Sequence, residues 1–261
     1  MPTRWTLTLT PRPSGPVRPA HLHALACTLL EEPGDDHTAQ VKPFTAALAG
    51  DRLLLSWLDD PTEPELPSRP DTSARLGGRT HRLQPGDRNT APYARLAAAP
   101  PSVKVRVEFV TPAYISRAGR QLPLPEPELL LAGLARRWDV YSPRPLPSKA
   151  VTELLGAVHL ARHDIRTAAV GAGSGQRVGF VGRAVFGLPP RTSHAAQRAF
   201  AALWSFAAFA GAGAQTTHGL GHVRVHVYDL PASQDSTVRE RNTGPIDTTL
   251  HSQNHQPIGG R

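Results

Sequence analysis

The sequence predicts an α+β protein made of two tandem ferredoxin-like domains, each with the order βαββαβ and an antiparallel sheet. Three observations carry this prediction. Residues 1–101 and 102–230 each show that order of strand and helix patterns, and the proline-rich stretch at 98–102 separates them. Residues 231–261 hold few large apolar side chains, so they are predicted to be a disordered tail that cannot offset the entropy of ordering its backbone.

The N-terminal domain is predicted from short periodic segments. Residues 5–10 alternate polar and apolar side chains, which is typical of a strand. Residues 21–32 carry leucines at helical spacing, and Pro33-Gly34 ends that helix. The remaining elements are expected as strands at 44–48 and 52–58, a weak helix that follows the acidic, proline-rich stretch 59–70, and a strand near 80–83. Regular structure is not expected within 59–70 itself.

The C-terminal domain gives stronger signals. Residues 103–110 alternate apolar and charged side chains, which predicts a strand with one buried face. A helix capped by Thr192 or Ser193 is expected to run to about residue 210, because its aromatic and aliphatic side chains recur at i, i+3, i+4 and i+7. The other elements are expected as a helix at 128–138, a hairpin of 164–170 with 177–186, and a final strand at 221–228.

Charge favours a polyanionic partner. The formal net charge is +8, and residues 102–230 account for it with 15 basic and 7 acidic side chains. A one-sided positive field attracts nucleic acid, although an arginine-rich genome would also raise the count. The sequence has no basic amphipathic helix and no long apolar run, so a membrane is not expected as a partner.

The single cysteine, Cys27, excludes an internal disulfide and a multi-cysteine zinc site. Histidines and carboxylates do not fall at metal-liganding spacings on any one element, so no metal or other cofactor is expected. The N-terminus lacks the continuous apolar region of a signal peptide. Together these features predict a cytoplasmic protein.

Basic residues on the predicted strands of the second domain form a candidate track for an RNA backbone. They are Lys104, Arg106, Arg177, Arg183 and Arg224. The alternative is an ordinary solvated polar face. Exposed aromatic residues are scarce on these strands, so stacking of RNA bases on the sheet is not evident.

A glycine-rich loop, Gly211-Ala-Gly-Ala-Gln-Thr-Thr-His-Gly-Leu-Gly221, lies between the last helix and the last strand. Glycine permits positive φ and close approach of the backbone to a ligand. Amides in such a loop can bind phosphate oxygens, and three side chains add further groups. The candidate RNA-binding residues here are Gly211, Gly213, Thr216, Thr217, His218, Gly219 and Gly221. No helix N-terminus follows, so this is not a P-loop, but a plain helix-to-strand connection remains an alternative.

The segment from Gly179-Phe-Val-Gly182 through the apolar helix and the glycine-rich loop to Val225 resembles the C-terminal signature of the CRISPR-associated repeat-RNA endoribonucleases of the RAMP superfamily. Residues 107–114 and Arg-Arg-Trp138 resemble, more loosely, the start of that family's second domain. The resemblance covers roughly residues 100–230. It implies tandem ferredoxin-like domains and CRISPR repeat RNA as the partner, with other subunits of a CRISPR effector complex as possible further partners.

The resemblance also implies metal-independent cutting of precursor CRISPR RNA within each repeat. The ribose 2′-hydroxyl attacks the adjacent phosphate and leaves a 2′,3′-cyclic phosphate and a 5′-hydroxyl. His37 and Lys42 lie where the family often places its histidine and lysine, so they are the candidate catalytic residues. Many members add a tyrosine in the first helix, and Cys27 occupies about that place here.

Several alternatives stay open. His21, His23 or His218 could contribute to the chemistry in place of His37. A non-catalytic RAMP-type RNA-binding subunit of an effector complex is the main alternative function, because the helix tyrosine is missing. A general ferredoxin-like RNA-binding module without a CRISPR link is a third hypothesis. The sequence does not decide between a monomer and a dimer.

Overall fold

A computed structural model describes residues 1–31, 41–62, 64, 66, 72–171 and 176–229. The described chain forms two larger antiparallel sheets, a small two-stranded sheet and five α-helices. The elements in chain order are β1 (Thr3–Thr10), α1 (Pro19–Leu30), β2 (Phe44–Ala49), β3 (Arg52–Trp57), β4 (Ser73–Leu76), β5 (Arg79–Thr90), α2 (Tyr93–Ala97), β6 (Lys104–Ala113), β7 (Ile115–Arg117), β8 (Arg120–Leu122), α3 (Pro127–Tyr141), α4 (Ser148–Ala157), β9 (His159–Val170), β10 (Arg177–Gly187), α5 (His194–Ala210) and β11 (Val223–Val227).

The first sheet has the strand order β2-β3-β1-β5-β4. The central strand β1 pairs antiparallel with both β3 and β5, so that Thr3 lies opposite Trp57 on one side and Thr90 on the other. Helix α1 packs its buried leucines on the apolar face of this sheet. Without β4, the order β2-β3-β1-β5 is that of a ferredoxin-like sheet, and the predicted α+β class is confirmed.

The second half of this sheet differs from the expectation. No helix lies between β3 and β5 in the residues described there, and β4 pairs with β5 as a hairpin instead. Strand β5 is also much longer than the stretch near 80–83 that the sequence indicated. The reason is a bulge: the register between β1 and β5 shifts next to Thr6, where Pro85 and Gly86 break the alternating pattern.

The second sheet has the order β11-β6-β10-β9, which is the complete ferredoxin-like order. The alternation of β6 is confirmed, because Val105, Val107 and Phe109 are buried against the helical layer while Lys104 and Arg106 are exposed. Helix α5 begins at the predicted cap, where Ser193 Oγ accepts a hydrogen bond from the backbone N–H of Ala196. Helix α4 and the β7–β8 hairpin were not predicted.

The larger core is shared between the two halves of the sequence. Tyr93 on α2 follows the first sheet, yet its ring packs edge-on against Trp138 at a centroid distance of 5.0 Å and lies 5.7 Å from Phe206. Its hydroxyl donates to the carbonyl oxygen of Leu58 at 2.8 Å. Residues near the end of the predicted first domain thus pack into the core of the second, and a boundary at residues 101 and 102 stays a prediction.

The remaining expectations concern the C-terminal tail and a membrane partner. The predicted tail, 231–261, lies outside the described residues. Across the helices that are described, none combines the length and the apolar character that a membrane crossing would need.

We expect Tyr93→Ala to lower the free energy of unfolding by about 3–5 kcal/mol, because it leaves a cavity beside Trp138 and Phe206. Tyr93→Phe is the matched control, since it keeps the ring and removes only the hydrogen bond to Leu58, at a cost of about 1 kcal/mol. Urea denaturation of the three proteins measures both values. Equal losses for the two variants would contradict the packing role of the ring.

Candidate nucleic-acid interface

The glycine-rich loop, residues 211–221, follows α5 and turns the chain back toward β11. Four glycines hold the left-handed backbone that the turn needs, with φ values of +68°, +94°, +93° and +67° at Gly211, Gly213, Gly219 and Gly221. The space is equally restrictive. A Cβ at Gly213 would lie 2.6 Å from the carbonyl oxygen of Tyr114, and one at Gly221 would lie 2.2 Å from that of Ala212. The loop conformation therefore requires glycine.

Part of the loop's backbone is already hydrogen-bonded, which corrects the picture of freely exposed amides. The N–H of Gly211 donates to Ala207 and that of Gly221 donates to Pro112, both through carbonyl oxygens. Ala214 donates to Tyr114 in the same way. Gly211 and Gly221 are also buried, so they shape the loop rather than offer amides to a phosphate. The N–H of Gly213 has no acceptor within the described part of the chain.

The loop packs on α1 of the other half through a stack of rings. The imidazoles of His218 and His23 are nearly parallel, with centroids 4.0 Å apart. The His23 ring centroid also lies 6.0 Å from that of Phe44, the first residue of β2. Gly219 makes this approach possible, because a Cβ there would lie 2.6 Å from Leu22 Cδ2. The stack places one predicted loop residue directly beside one of the alternative histidines.

Hydrogen bonds fix the orientation of both rings. His23 Nδ1 lies 3.3 Å from the carbonyl oxygen of Thr217, which can only accept, so this nitrogen carries the proton in the neutral ring. His23 Nε2 then accepts, and Cys27 Sγ lies 3.6 Å from it. His218 Nδ1 lies 2.8 Å from the Thr217 hydroxyl. The predicted residues Thr217 and His218 therefore belong to one bonded unit with α1.

Cys27 lies next to His23 on α1, and Glu31, at the end of this helix, pairs with Lys42. Burial raises the pKa of Cys27 to about 11, with the nearby charge of Glu31 as the next cause. Lys42 Nζ lies 2.6 Å from Glu31 Oε1, and the two side chains are only 6% and 4% exposed. Lys42 is thus held in a buried ion pair that the sequence did not indicate, and its catalytic role stays a prediction.

His37 lies outside the described residues. In sequence it falls between Glu31 and Lys42, the two residues joined by the buried ion pair. Its assignment as the catalytic histidine therefore remains a prediction.

Two histidines near the loop are held neutral. Burial lowers the pKa of His218 to about 4, with a further contribution from His23. Burial also lowers the pKa of His222 to about 4, and the positive charges of Arg4 and Arg224 act in the same direction. At neutral pH these two rings can take part in hydrogen bonds but carry no positive charge.

The predicted basic track lies on the sheet face opposite the helices. Lys104, Arg106, Arg183 and Arg224 are exposed there, and Arg177 is partly exposed near the end of the β9–β10 hairpin. Glu108 sits between two of them, with Arg224 Nη1 at 3.4 Å and Arg183 Nη2 at 3.9 Å. Lys104 Nζ lies 5.1 Å from the ring centre of Tyr228. The structure therefore brings four of the five predicted residues onto one open surface.

Sequence reasoning missed several basic residues. Arg162 and Arg166 lie on β9, opposite Val185 and Val181 of β10, and so extend the exposed basic face. Their alternation along residues 162–166 was the available signal. Arg137 of α3 contacts Thr216, the remaining predicted loop residue, which is buried: Arg137 Nη1 donates to Thr216 Oγ1 at 2.9 Å. Only the tertiary structure reveals that contact.

In the described part of the chain, no three histidine, cysteine or carboxylate side chains converge as metal ligands would.

The two antiparallel sheets define a tandem ferredoxin-like fold, in which the glycine-rich loop connects α5 to β11. The family model described as "CRISPR-associated endoribonuclease Cas6" matches residues 107–223. Over these residues, which are less than half of the chain, it is similar to the Cas6 family, in line with the sequence resemblance.

Curated proteins and solved structures described as Cas6 are also similar to this chain. The Cas6 endoribonucleases of two Mycobacterium tuberculosis strains, CDC 1551 / Oshkosh and H37Rv, are 30% identical over 135 residues, which are 51% of this chain and 42% of each relative. The match thus spans less than half the length of these relatives. A Cas6 product complex is 25% identical with a TM-score of 0.74 and covers 87% of this chain and 100% of that one. A product complex of a Thermus thermophilus Cas6 is 27% identical with a TM-score of 0.67 and the same coverage.

We expect Gly213→Ala to destabilise the fold more than Gly78→Ala does. Both glycines have positive φ, but only at Gly213 would the new Cβ meet a backbone oxygen; at Gly78 it meets nothing within 4 Å. The difference is expected to be about 2 kcal/mol in the free energy of unfolding, since the loop must shift to relieve the overlap. Denaturant titration of both variants measures it, and equal losses would show that φ alone sets the cost.

We expect His218 to make stability fall in mild acid. Its folded pKa of about 4 lies below its ordinary value, so the unfolded chain takes up the proton first as the pH drops. The stabilisation is complete above about pH 6.5 and is lost as the pH falls toward the folded value. His218→Gln should therefore show a smaller decrease in Tm between pH 7 and pH 5 than the original protein. An unchanged pH dependence would contradict the buried, neutral ring.

Proposed function

We propose that this chain is an endoribonuclease that binds CRISPR repeat RNA and cuts precursor CRISPR RNA within each repeat. The 2′-hydroxyl attacks the adjacent phosphate without a metal ion and leaves 2′,3′-cyclic phosphate and 5′-hydroxyl ends. One observation carries the proposal: the glycine-rich loop, which lies inside the Cas6 match, packs against the helix that leads to Glu31, Lys42 and the intervening His37.

The reaction needs a group to take the proton of the 2′-hydroxyl, a group to protonate the leaving 5′-oxygen, and positive charge on the phosphorane. His37 is assigned the proton transfer, because an ordinary imidazole titrates near neutral pH. Lys42 is assigned the charge. Its ion pair with Glu31 holds the ammonium group in place, and a phosphorane with two negative charges would compete with that carboxylate for it.

Cys27 does not replace the tyrosine that many family members carry. Its pKa of about 11 keeps the thiol protonated at neutral pH, and its contact with His23 Nε2 gives it a structural partner. The site proposed here is therefore centred on histidine. His23 is oriented by Thr217 and stacked on His218, which makes it a positioning element between α1 and the loop.

The basic sheet face supplies the RNA-binding surface in this proposal. Lys104, Arg106, Arg183 and Arg224 would contact phosphates, which position a strand without reading its bases. Arg177, at the hairpin end, would extend the same track. Such contacts make affinity fall steeply with salt. The two Cas6 relatives compared above, solved as product complexes, support a fold suited to holding a cleaved product.

The test is cleavage of repeat RNA by His37→Ala in EDTA, with His194→Ala as the matched control. His194 is an exposed histidine at the start of α5, outside the proposed site. We expect the first variant to lose a factor of about 10²–10⁴ in single-turnover rate and the control to keep the original rate. The assay resolves product ends on a gel and measures RNA binding in parallel.

Each alternative has its own outcome. Undiminished cutting by His37→Ala would overturn the histidine assignment. Cutting by the original protein that EDTA abolishes would overturn the metal-independent mechanism. Tight binding with no cutting by the original protein would support the non-catalytic RNA-binding subunit instead.

A further inference from the structure

Arg137 is a largely buried cation without an acidic partner. It lies on α3, and its Nη1 donates to the carbonyl oxygen of Ala210, at the end of α5, and to Thr216 Oγ1. Among the described residues no carboxylate lies within ion-pair distance of its guanidinium. Burial lowers its pKa to about 10, which still leaves it charged at neutral pH. A buried charge of this kind is costly unless something compensates for it.

The guanidinium lines a cavity of about 180 Å³ between α3, the start of β7 and the glycine-rich loop. Two kinds of surface meet there. One wall is aliphatic, and the other carries Arg136, Arg137 and Gly213, whose N–H has no acceptor in the described chain. The aliphatic wall is formed by Ile115, Leu129, Leu130 and Leu134.

These surfaces fit one nucleotide of single-stranded RNA. Guanidinium groups bind phosphate with several parallel hydrogen bonds, and a backbone N–H beside them adds one more. Only Nη1 of Arg137 is engaged with protein groups, so its other N–H donors remain for a ligand. The cavity is smaller than the pockets of about 300–1,000 Å³ that hold drug-sized ligands, and an apolar wall suits the flat face of one splayed base.

We propose that this cavity is a binding site for a single nucleotide of the RNA, with a phosphate on Arg136, Arg137 and the Gly213 amide and the base against the aliphatic wall. The proposal rests on the proposed function and names a part of the RNA site distinct from the basic sheet face. Arg137 also joins this cavity to the loop, because the same guanidinium that would meet the phosphate holds Thr216.

The sharpest test fills the cavity without harming the fold. Gly133 lines the cavity within α3, and a Cβ there would meet only Arg136 Nη2, at 3.9 Å. Gly133→Phe therefore places a ring in the cavity while removing a glycine from a helix, which favours the helix. Gly156→Phe is the matched control, since Gly156 lies in α4 and a Cβ there meets nothing within 4 Å.

We expect Gly133→Phe to raise the Kd for fluorescein-labelled repeat RNA by about 5–100-fold, the loss associated with one base contact. Gly156→Phe should leave it unchanged, and Tm should not fall in either variant. Arg136→Ala should weaken binding as well, with Arg191→Ala, an exposed arginine before α5, as its charge-matched control. Anisotropy at low temperature, before cutting proceeds, measures all five proteins.

The outcomes separate this proposal from the one it rests on. If the original protein binds repeat RNA and Gly133→Phe binds it equally well, the nucleotide site is overturned and the proposed function stands. If both phenylalanine variants weaken binding alike, the cavity is again not the cause. If the original protein does not bind repeat RNA, the proposed function and this site fall together.

Discussion

The packing of the glycine-rich loop on α1 is the contact on which the rest of the site depends. It joins the two halves of the chain through the His23–His218 stack, and it exists only because Gly219 leaves room for Leu22. The four positive φ values of the loop are a conformational cost, and burial and backbone hydrogen bonds offset it. This contact fixes α1 and its polar face against the loop that leads into β11.

Buried arginines, rather than histidines, carry positive charge near the loop. Its histidines are neutral, since burial holds the pKa of His218 and His222 at about 4. Arg4 on β1 and Arg137 on α3 are instead largely buried cations, each with a pKa lowered to about 10 by burial. In the described chain neither forms a salt bridge. A fold that keeps two such cations near one loop has a positive potential there that an RNA phosphate would compensate.

Local pattern determined how much of this arrangement the sequence could predict. The alternation of β6 and the apolar spacing of α5 predicted both elements, because each buries one face against a single core. The full length of strand β5 was not predicted, because a bulge places Pro85 and Gly86 inside it. The glycines identified the loop, but all of them were expected to contact RNA. The N–H groups of Gly211 and Gly221 instead donate hydrogen bonds to the protein backbone. Two other contacts could not be predicted from periodicity, because each joins residues outside a single helix or strand. They are the Glu31–Lys42 ion pair and the hydrogen bond from Arg137 to Thr216.

The sequence alone placed RNA recognition in the C-terminal half and cutting in the N-terminal half, as though these were two sites. In the fold, one path of contacts runs from Arg137 through Thr216 and the loop to His218, across the stack to His23, and on through Cys27 toward Glu31 and Lys42. Binding energy gained at one end of such a path can serve to position the reacting groups at the other, which is how remote contacts contribute to catalysis. The glycine-rich loop then connects the proposed RNA-binding residues to the proposed catalytic residues through direct contacts. Its fixed backbone conformation makes this connection rigid.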